Sequence, residues 1–380
     1  MDATPQVAAD APRPAWTARL SPTALVALLA LVATAELMGW WYGDPDFYLP
    51  DPFRALSLAM VVGVALTMAL PWGLLRGGLQ VLLLTTVAAV LILELKAGVR
   101  DDVASFVVQT DDKLLRYHYR PGATIGDATV NSYGLLDVER PLDKPADVLR
   151  VVILTGSIAN DPAVPFESRF VRQLQAQLDG LVPGHRVEVI NASCEGFNTL
   201  QQVRLLEQVG LRYQPDVVVI AFMMTSATLQ NGGHRRIGNS YFAFRFLPML
   251  AMAREGSICA LFSPYFERYS FDLIVRNSFE RLALLARQHR FAPLVAVLPV
   301  VERFDDPVCV GIYDQVAATA TDAGLPALRL AQAFVGQDPL SIAKPDERWD
   351  VCHPNAHGHA EIAKGLRDGL LPLLQAQARR

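Results

Sequence analysis

The segment Arg150-Val151-Val152-Ile153-Leu154-Thr155-Gly156-Ser157 sets the reading of the chain. Four consecutive aliphatic residues, mostly β-branched, predict a strand buried on both faces, the pattern of a parallel sheet. The strand runs straight into small residues and a serine. Further strands read at 187–191, 217–222, 294–298 and 326–330. Between them, Phe166, Phe170, Leu174 and Leu178 recur every four residues, and so do Ile362, Leu366 and Leu370, which predicts amphipathic helices. Strand alternating with helix is the signature of a three-layer α/β fold. Ligands in such folds gather at the carboxyl ends of the strands, where Ser157 falls.

The 380 residues hold more than this domain, and 52% of them are hydrophobic. Mean hydropathy is +0.25. The excess lies at the front, in apolar runs at 22–42, 55–75 and 78–95, charged only at Glu36 and Glu94. Each approaches the ~20 residues a helix needs to cross a bilayer. Trp40, Trp41, Tyr42 and Trp72 sit near the run ends, as interfacial aromatics do. Arg13 and Arg19 precede the first run, Asp44, Asp46 and Asp51 outnumber Arg54 in the first connection, and Arg76 lies in the second. By the positive-inside rule the N-terminus is cytoplasmic, and three crossings deliver the rest outside. The competing reading of the first run is a cleaved signal peptide, with Ala33-Thr34-Ala35 as its small-residue site. The domain map is therefore a disordered tail at 1–20, a three-helix transmembrane region at 21–98, a Pro- and Gly-punctuated connector at 99–149 and an α/β domain at 150–380.

A net charge of −4 gives no reason to expect a nucleic-acid partner. Cys194, Cys259, Cys309 and Cys352 show neither CxxC spacing nor a zinc pattern. They read as buried free thiols, with a Cys194–Cys352 bridge as the alternative in an oxidising compartment. His357 and His359 invite a metal reading with His353, but i, i+2 spacing does not put them on one helical face. His234-Arg235-Arg236 reads as a solvated loop, and the apolar stretch from Phe242 to Phe262, interrupted by Arg245, Arg254 and Glu255, as core packing rather than a span.

Near the C-terminus, Asp350-Val351-Cys352-His353-Pro354-Asn355 places a carboxylate three residues before a histidine, ahead of a helix. Serine, histidine and carboxylate are the components of acyl transfer through an activated hydroxyl. Taken with Ser157 on the alternating scaffold, the chain resembles the SGNH (GDSL-type) hydrolases over roughly 115–375. It is similar above all to bacterial, membrane-anchored members associated with envelope and exopolysaccharide. The first family block, Gly-Asp-Ser, corresponds to Thr155-Gly156-Ser157; the second to Val189 through Thr199, with Gly196 at the oxyanion-hole glycine; the last to Asp350 and His353. The third block carries Asn-Asp in the family, whereas here Ser226-Ala227 stands in its place, after Thr225.

The resemblance implies an SGNH-like, flavodoxin-like three-layer α/β/α sheet. It implies Ser157 as nucleophile, His353 as base and Asp350 as its orienting carboxylate. An oxyanion hole of Ser157 and Gly196 backbone N–H groups follows, with Ser226 or Thr225 as a weaker third donor. No metal or cofactor is needed by such a mechanism. The expected activity is removal of O-acyl, chiefly O-acetyl, groups from envelope carbohydrate on the periplasmic side of the bacterial inner membrane. Two other outcomes stay open: transfer of the acyl group to a sugar hydroxyl, and a non-catalytic carbohydrate-binding role.

Overall fold

The computed structural model describes residues 73, 77–78, 106–228, 256–266, 271–345 and 350–380. Residues 94–380 form one compact unit, and residues 1–93 another. The three expected spans lie almost wholly outside the described residues. Among the described residues, no helix is long and apolar enough to cross a membrane. His234-Arg235-Arg236 also lies outside them.

Five parallel strands build the sheet at the centre of the second unit. Before them come two short antiparallel pairs, β1 (Val107–Gln109) with β2 (Tyr117–Tyr119) and β3 (Thr124–Ile125) with β4 (Ala128–Thr129). The main sheet comprises β5 (Val148–Leu154), β6 (Arg186–Asn191), β7 (Val217–Phe222), β8 (Ala292–Val297) and β9 (Ala327–Arg329), in the order β6-β5-β7-β8-β9. Chain order 2-1-3-4-5 is the flavodoxin-like arrangement, with its crevice beside the first strand. Arg150–Leu154 lies in β5, between β6 and β7, and Ser157 follows its carboxyl end at this crevice. Every residue of β5 is buried.

Alternation along the strands divides the core in two. Val151, Ile153, Val189, Val217, Val219 and Ala296 face α1 (Phe170–Leu178) and α5 (Ala356–Gln377), where Phe170, Leu174, Leu178, Ile362, Leu366 and Leu370 close the layer. Val152, Leu154, Ile190, Val218, Ile220 and Val295 face α2 (Thr199–Gln208), α3 (Asn277–His289) and α4 (Pro307–Asp322). Phe166, expected on the first helix, lies instead in a 3-10 turn ahead of α1.

The segment expected as a connector is packed into this second core layer. Leu115, Tyr117, Tyr119, Leu135 and Leu136 are all buried there. One hold on the sheet is Arg150, a fully buried cation in β5. That guanidinium donates to Glu188 (2.9 Å) and to the carbonyls of Pro141 (2.8 Å), Leu142 (2.8 Å) and Tyr213 (3.0 Å). A buried charge persists only when paired and hydrogen-bonded, and Arg150 meets both conditions. Charge and glycine content hid this packing, while the alternation of Tyr117, His118 and Tyr119 carried it: the two tyrosines are buried and the histidine less so.

The cysteines depart from both readings, four free thiols and a Cys194–Cys352 bridge. Cys259 and Cys309 form a disulfide, joining the 3-10 turn Ile258–Leu261 to the first turn of α4, while Cys194 and Cys352 are free. Asp306 caps α4, accepting from the N–H groups of Val308 and Cys309, and also accepts from the Ser257 hydroxyl (2.8 Å). Cys259, Asp306 and Cys309 are the one group of metal-ligand spacing among the described residues, and both sulfurs are spent on the bridge. Ser257, Ile258 and Cys259, in the described part of the apolar stretch ending at Phe262, are buried as core.

Candidate active site

Ser157 begins a 3-10 turn, Ser157–Ala159, immediately beyond β5. Two fastenings fix that turn. The Thr155 hydroxyl donates to the carbonyl of Ala221 (2.7 Å), locking the end of β5 to β7. Behind the serine, buried Asn160 donates to the Tyr119 hydroxyl (2.9 Å) and to Ser193 Oγ (3.0 Å), and accepts from Asn191 Nδ2 (2.9 Å). The Ser157 turn is therefore stitched to the end of β6 and to β2.

His353 arrives from the loop before α5. Its Nε2 lies 2.8 Å from Ser157 Oγ, and its Nδ1 lies 2.9 and 2.8 Å from the two oxygens of Asp350. Asp350 Oδ1 also accepts the backbone N–H groups of Cys352 and His353, both at 3.1 Å, so the carboxylate is locked by its own loop. Residues 196 positions apart meet because α5 packs on α1 and on β8. Asn355 caps α5 by accepting from Gly358 N–H (3.0 Å) and donates to the carbonyls of Ser341 and Ala343 (2.9 Å each). Gly358 is required by close approach, since a Cβ there would come within 2.7 Å of Ile342 Cγ2.

The electrostatics suit a histidine base. Burial disfavours the charged imidazolium of His353, but the charge and hydrogen bond of Asp350 outweigh it, and the imidazole is raised to about 8. Burial works against the Asp350 carboxylate as well, and His353 and Lys344 overcome it, holding that group well below the usual carboxylate range. Cys352 beside them is pushed up to about 12 by burial and by the charge of Asp350, so it stays a thiol at neutral pH.

Gly196 lies on the loop after β6 with φ of +68°, a conformation that favours glycine. The loop is held on both sides by β2: the Tyr117 hydroxyl donates to the Glu195 carbonyl (2.6 Å), and Glu195 N–H donates to the Tyr119 oxygen (2.9 Å). Tyr119 thus joins the Gly196 loop to the Ser157 turn through one hydroxyl. Ser226 is placed otherwise than a side-chain oxyanion donor requires. It is 1% exposed, and its Oγ accepts from Met223 N–H (3.3 Å) and Gln202 Nε2 (3.3 Å). Thr225, one residue earlier in the same 3-10 turn, is half-buried.

Of the histidines weighed as metal ligands, His357 is exposed and His359 fully buried, its Nδ1 accepting from Phe170 N–H (3.1 Å). The structure brings Ser157, His353 and Asp350 together and leaves His357 and His359 out. Sequence reasoning missed Tyr119, Asn160 and Lys344. Only the first carried a signal, in the two-residue alternation of the tyrosines.

Such an arrangement can deprotonate the Ser157 hydroxyl as it attacks a carbonyl and return the proton to a leaving group. No family model matches the chain, and no curated protein matches it. Among solved structures it is similar to TesA, at 15% identity over 59% of this chain and 99% of that one, with a TM-score of 0.39. It is similar to the acetyl xylan esterase AlAXEase, at 15% identity over 58% and 100%, with a TM-score of 0.37. Axe2, an acetylxylan esterase from Geobacillus stearothermophilus, is similar at 16% identity over 59% and 94%, with a TM-score of 0.39.

Proposed function

We propose that the protein is an SGNH-type serine esterase that removes O-acyl groups, chiefly O-acetyl, from envelope or exopolysaccharide carbohydrate. The observation that carries the reading is the 2.8 Å approach of His353 Nε2 to Ser157 Oγ, with Asp350 on the other ring nitrogen. In the mechanism, His353 accepts the Ser157 proton as Oγ attacks the ester carbonyl. Asp350 holds Nδ1–H and stabilises the imidazolium that forms. Backbone N–H groups of Ser157 and Gly196 receive the oxyanion. The imidazolium then protonates the departing sugar hydroxyl, and water resolves the acyl-enzyme by the same steps in reverse.

Ser226 serves in this reading as a fastener between the β7 loop and α2 rather than as a donor to substrate. The carbohydrate class rests on the family resemblance of the sequence blocks. An extracytoplasmic domain anchored in the inner membrane rests on the apolar runs before residue 98, and the Cys259–Cys309 bridge fits an oxidising compartment. The test is acetate release by the full-length protein from p-nitrophenyl acetate and from an acetylated glycan, compared with Ser157→Ala. Equal rates for the two proteins would remove the serine mechanism. Acetate appearing on an added sugar rather than in solution would make the protein a transferase.

A further inference from the structure

Behind the triad sits a cation that the mechanism above does not use. Lys344 follows the helical turn Pro339–Ile342 and is 8% exposed. Its Nζ lies 2.9 Å from Asp350 Oδ2 and 3.0 Å from Asp161 Oδ2. Asp161 comes from the other side of the site, just after the nucleophile turn, and its second oxygen accepts from Ala163 N–H (2.9 Å). One ammonium therefore joins the loop that carries the base to the loop that carries the nucleophile. The place of Lys344 is itself fixed, because Asn355 grips the carbonyl of the preceding residue, Ala343, from the cap of α5.

The charges around His353 explain why a cation is needed there. Asp350 faces it from its own loop, Asp161 from the β5 turn and Glu195 from the loop after β6. Three carboxylates thus act on one imidazole. On the positive side, Lys344 lies against Asp350 and Asp161, and with Arg169 before α1 it also acts on His359 of α5, whose imidazole burial pushes down. Without Lys344, buried Asp161 would lose the cation 3.0 Å from it, and Asp350 would keep only the imidazole as counter-charge among the described residues.

Resting on the esterase reading, we propose that Lys344 is a positioning residue: its ammonium clamps Asp350 where it receives His353 Nδ1–H and balances Asp161, the second carboxylate facing the triad. A cation this close disfavours the imidazolium, so removing it makes His353 a stronger base that stays protonated to higher pH. Only neutral His353 can accept the serine proton. The pH at which the enzyme switches on is therefore the readout, and a merely structural role would not move it.

The experiment is the pH profile of kcat/KM for p-nitrophenyl acetate, measured on the full-length wild type, Lys344→Met, Lys344→Arg and Asp161→Asn. Lys344→Met should move the acid limb upward by about one pH unit, lower kcat/KM about tenfold at pH 7 and converge on wild type above about pH 10. Lys344→Arg, which keeps the charge, should leave the limb in place. Asp161→Asn removes a carboxylate instead and should move the limb downward, by about half a unit. If Lys344→Met fails to fold, as its melting curve would reveal, the direction for Asp161→Asn decides alone. A uniform loss across the pH range in Lys344→Met, or an upward shift in Asp161→Asn, overturns the inference while leaving the esterase reading standing. An inactive wild type overturns both.

Discussion

His353 and His359 are six residues apart, and the protein treats them in opposite ways. His353 reaches into the site with a carboxylate on Nδ1 and a hydroxyl on Nε2, and its imidazole is raised to about 8. His359, fully buried and stacked on Phe170, is pushed down to about 3, first by burial; Asp161 draws it the other way without prevailing. Nδ1 of His359 accepts a hydrogen bond from Phe170 N–H, which leaves the proton on Nε2, a buried nitrogen with no partner among the described residues. Desolvation acts on both rings, and an adjacent, well-oriented carboxylate reverses its effect on one of them.

The widest separation between the two histidines should appear in turnover. His353→Ala and Ser157→Ala should each lower kcat by about 10⁵- to 10⁶-fold, whereas His359→Phe should change it less than about fivefold. Steady-state hydrolysis of p-nitrophenyl acetate checks both. A collapse of activity in well-folded His359→Phe would break the contrast. Asp350→Asn comes next, at about 10⁴-fold, because an amide in that place no longer favours Nδ1–H.

Stability against pH sharpens the contrast from another side. The folded value for His353 lies above the unfolded ~6.5, so its contribution is fully present below pH 6.5 and fades as pH rises through about 8. The loss is of order 2 kcal/mol. For His359 the folded value is depressed, so the unfolded chain takes up the proton first. Stability therefore falls as pH drops from about 6.5 towards about 3, by at most ~1.4 kcal/mol per unit. Denaturant melts of wild type and His359→Phe across pH 4–7 measure it: the acid slope should be shallower in the variant, and an unchanged slope would contradict the assignment.

The smallest effect separates the two serines in the same manner. Ser157 presents its hydroxyl to His353, while Ser226 has its hydroxyl turned into the loop. Ser226→Ala should therefore cost less than about threefold in kcat. Loss of a true oxyanion donor would cost about 10²- to 10³-fold, so the assay distinguishes the roles easily.

The sheet was legible because its central strands β5 and β7 are buried along their whole length and so read as nearly unbroken aliphatic runs. Val217 to Phe222 was placed to the residue. Ser157, Asp350 and His353 were legible as residue types in a given order on that scaffold, although nothing in their spacing states a distance. Tyr119 and Lys344 were not. Their parts depend on which loops the fold brings side by side, across 76 positions from Tyr119 to Glu195 and 183 from Lys344 to Asp161. The Cys259–Cys309 bridge escaped for the same reason, since pairing is a property of proximity and not of spacing.

The most direct measurement is covalent labelling of the full-length protein with a fluorophosphonate, followed by peptide mass spectrometry. The adduct should sit on Ser157 Oγ and disappear in His353→Ala, since the phosphonate reports only a hydroxyl that a neighbouring base has activated. Label on another residue, or undiminished label on Ser157 without His353, would contradict the account.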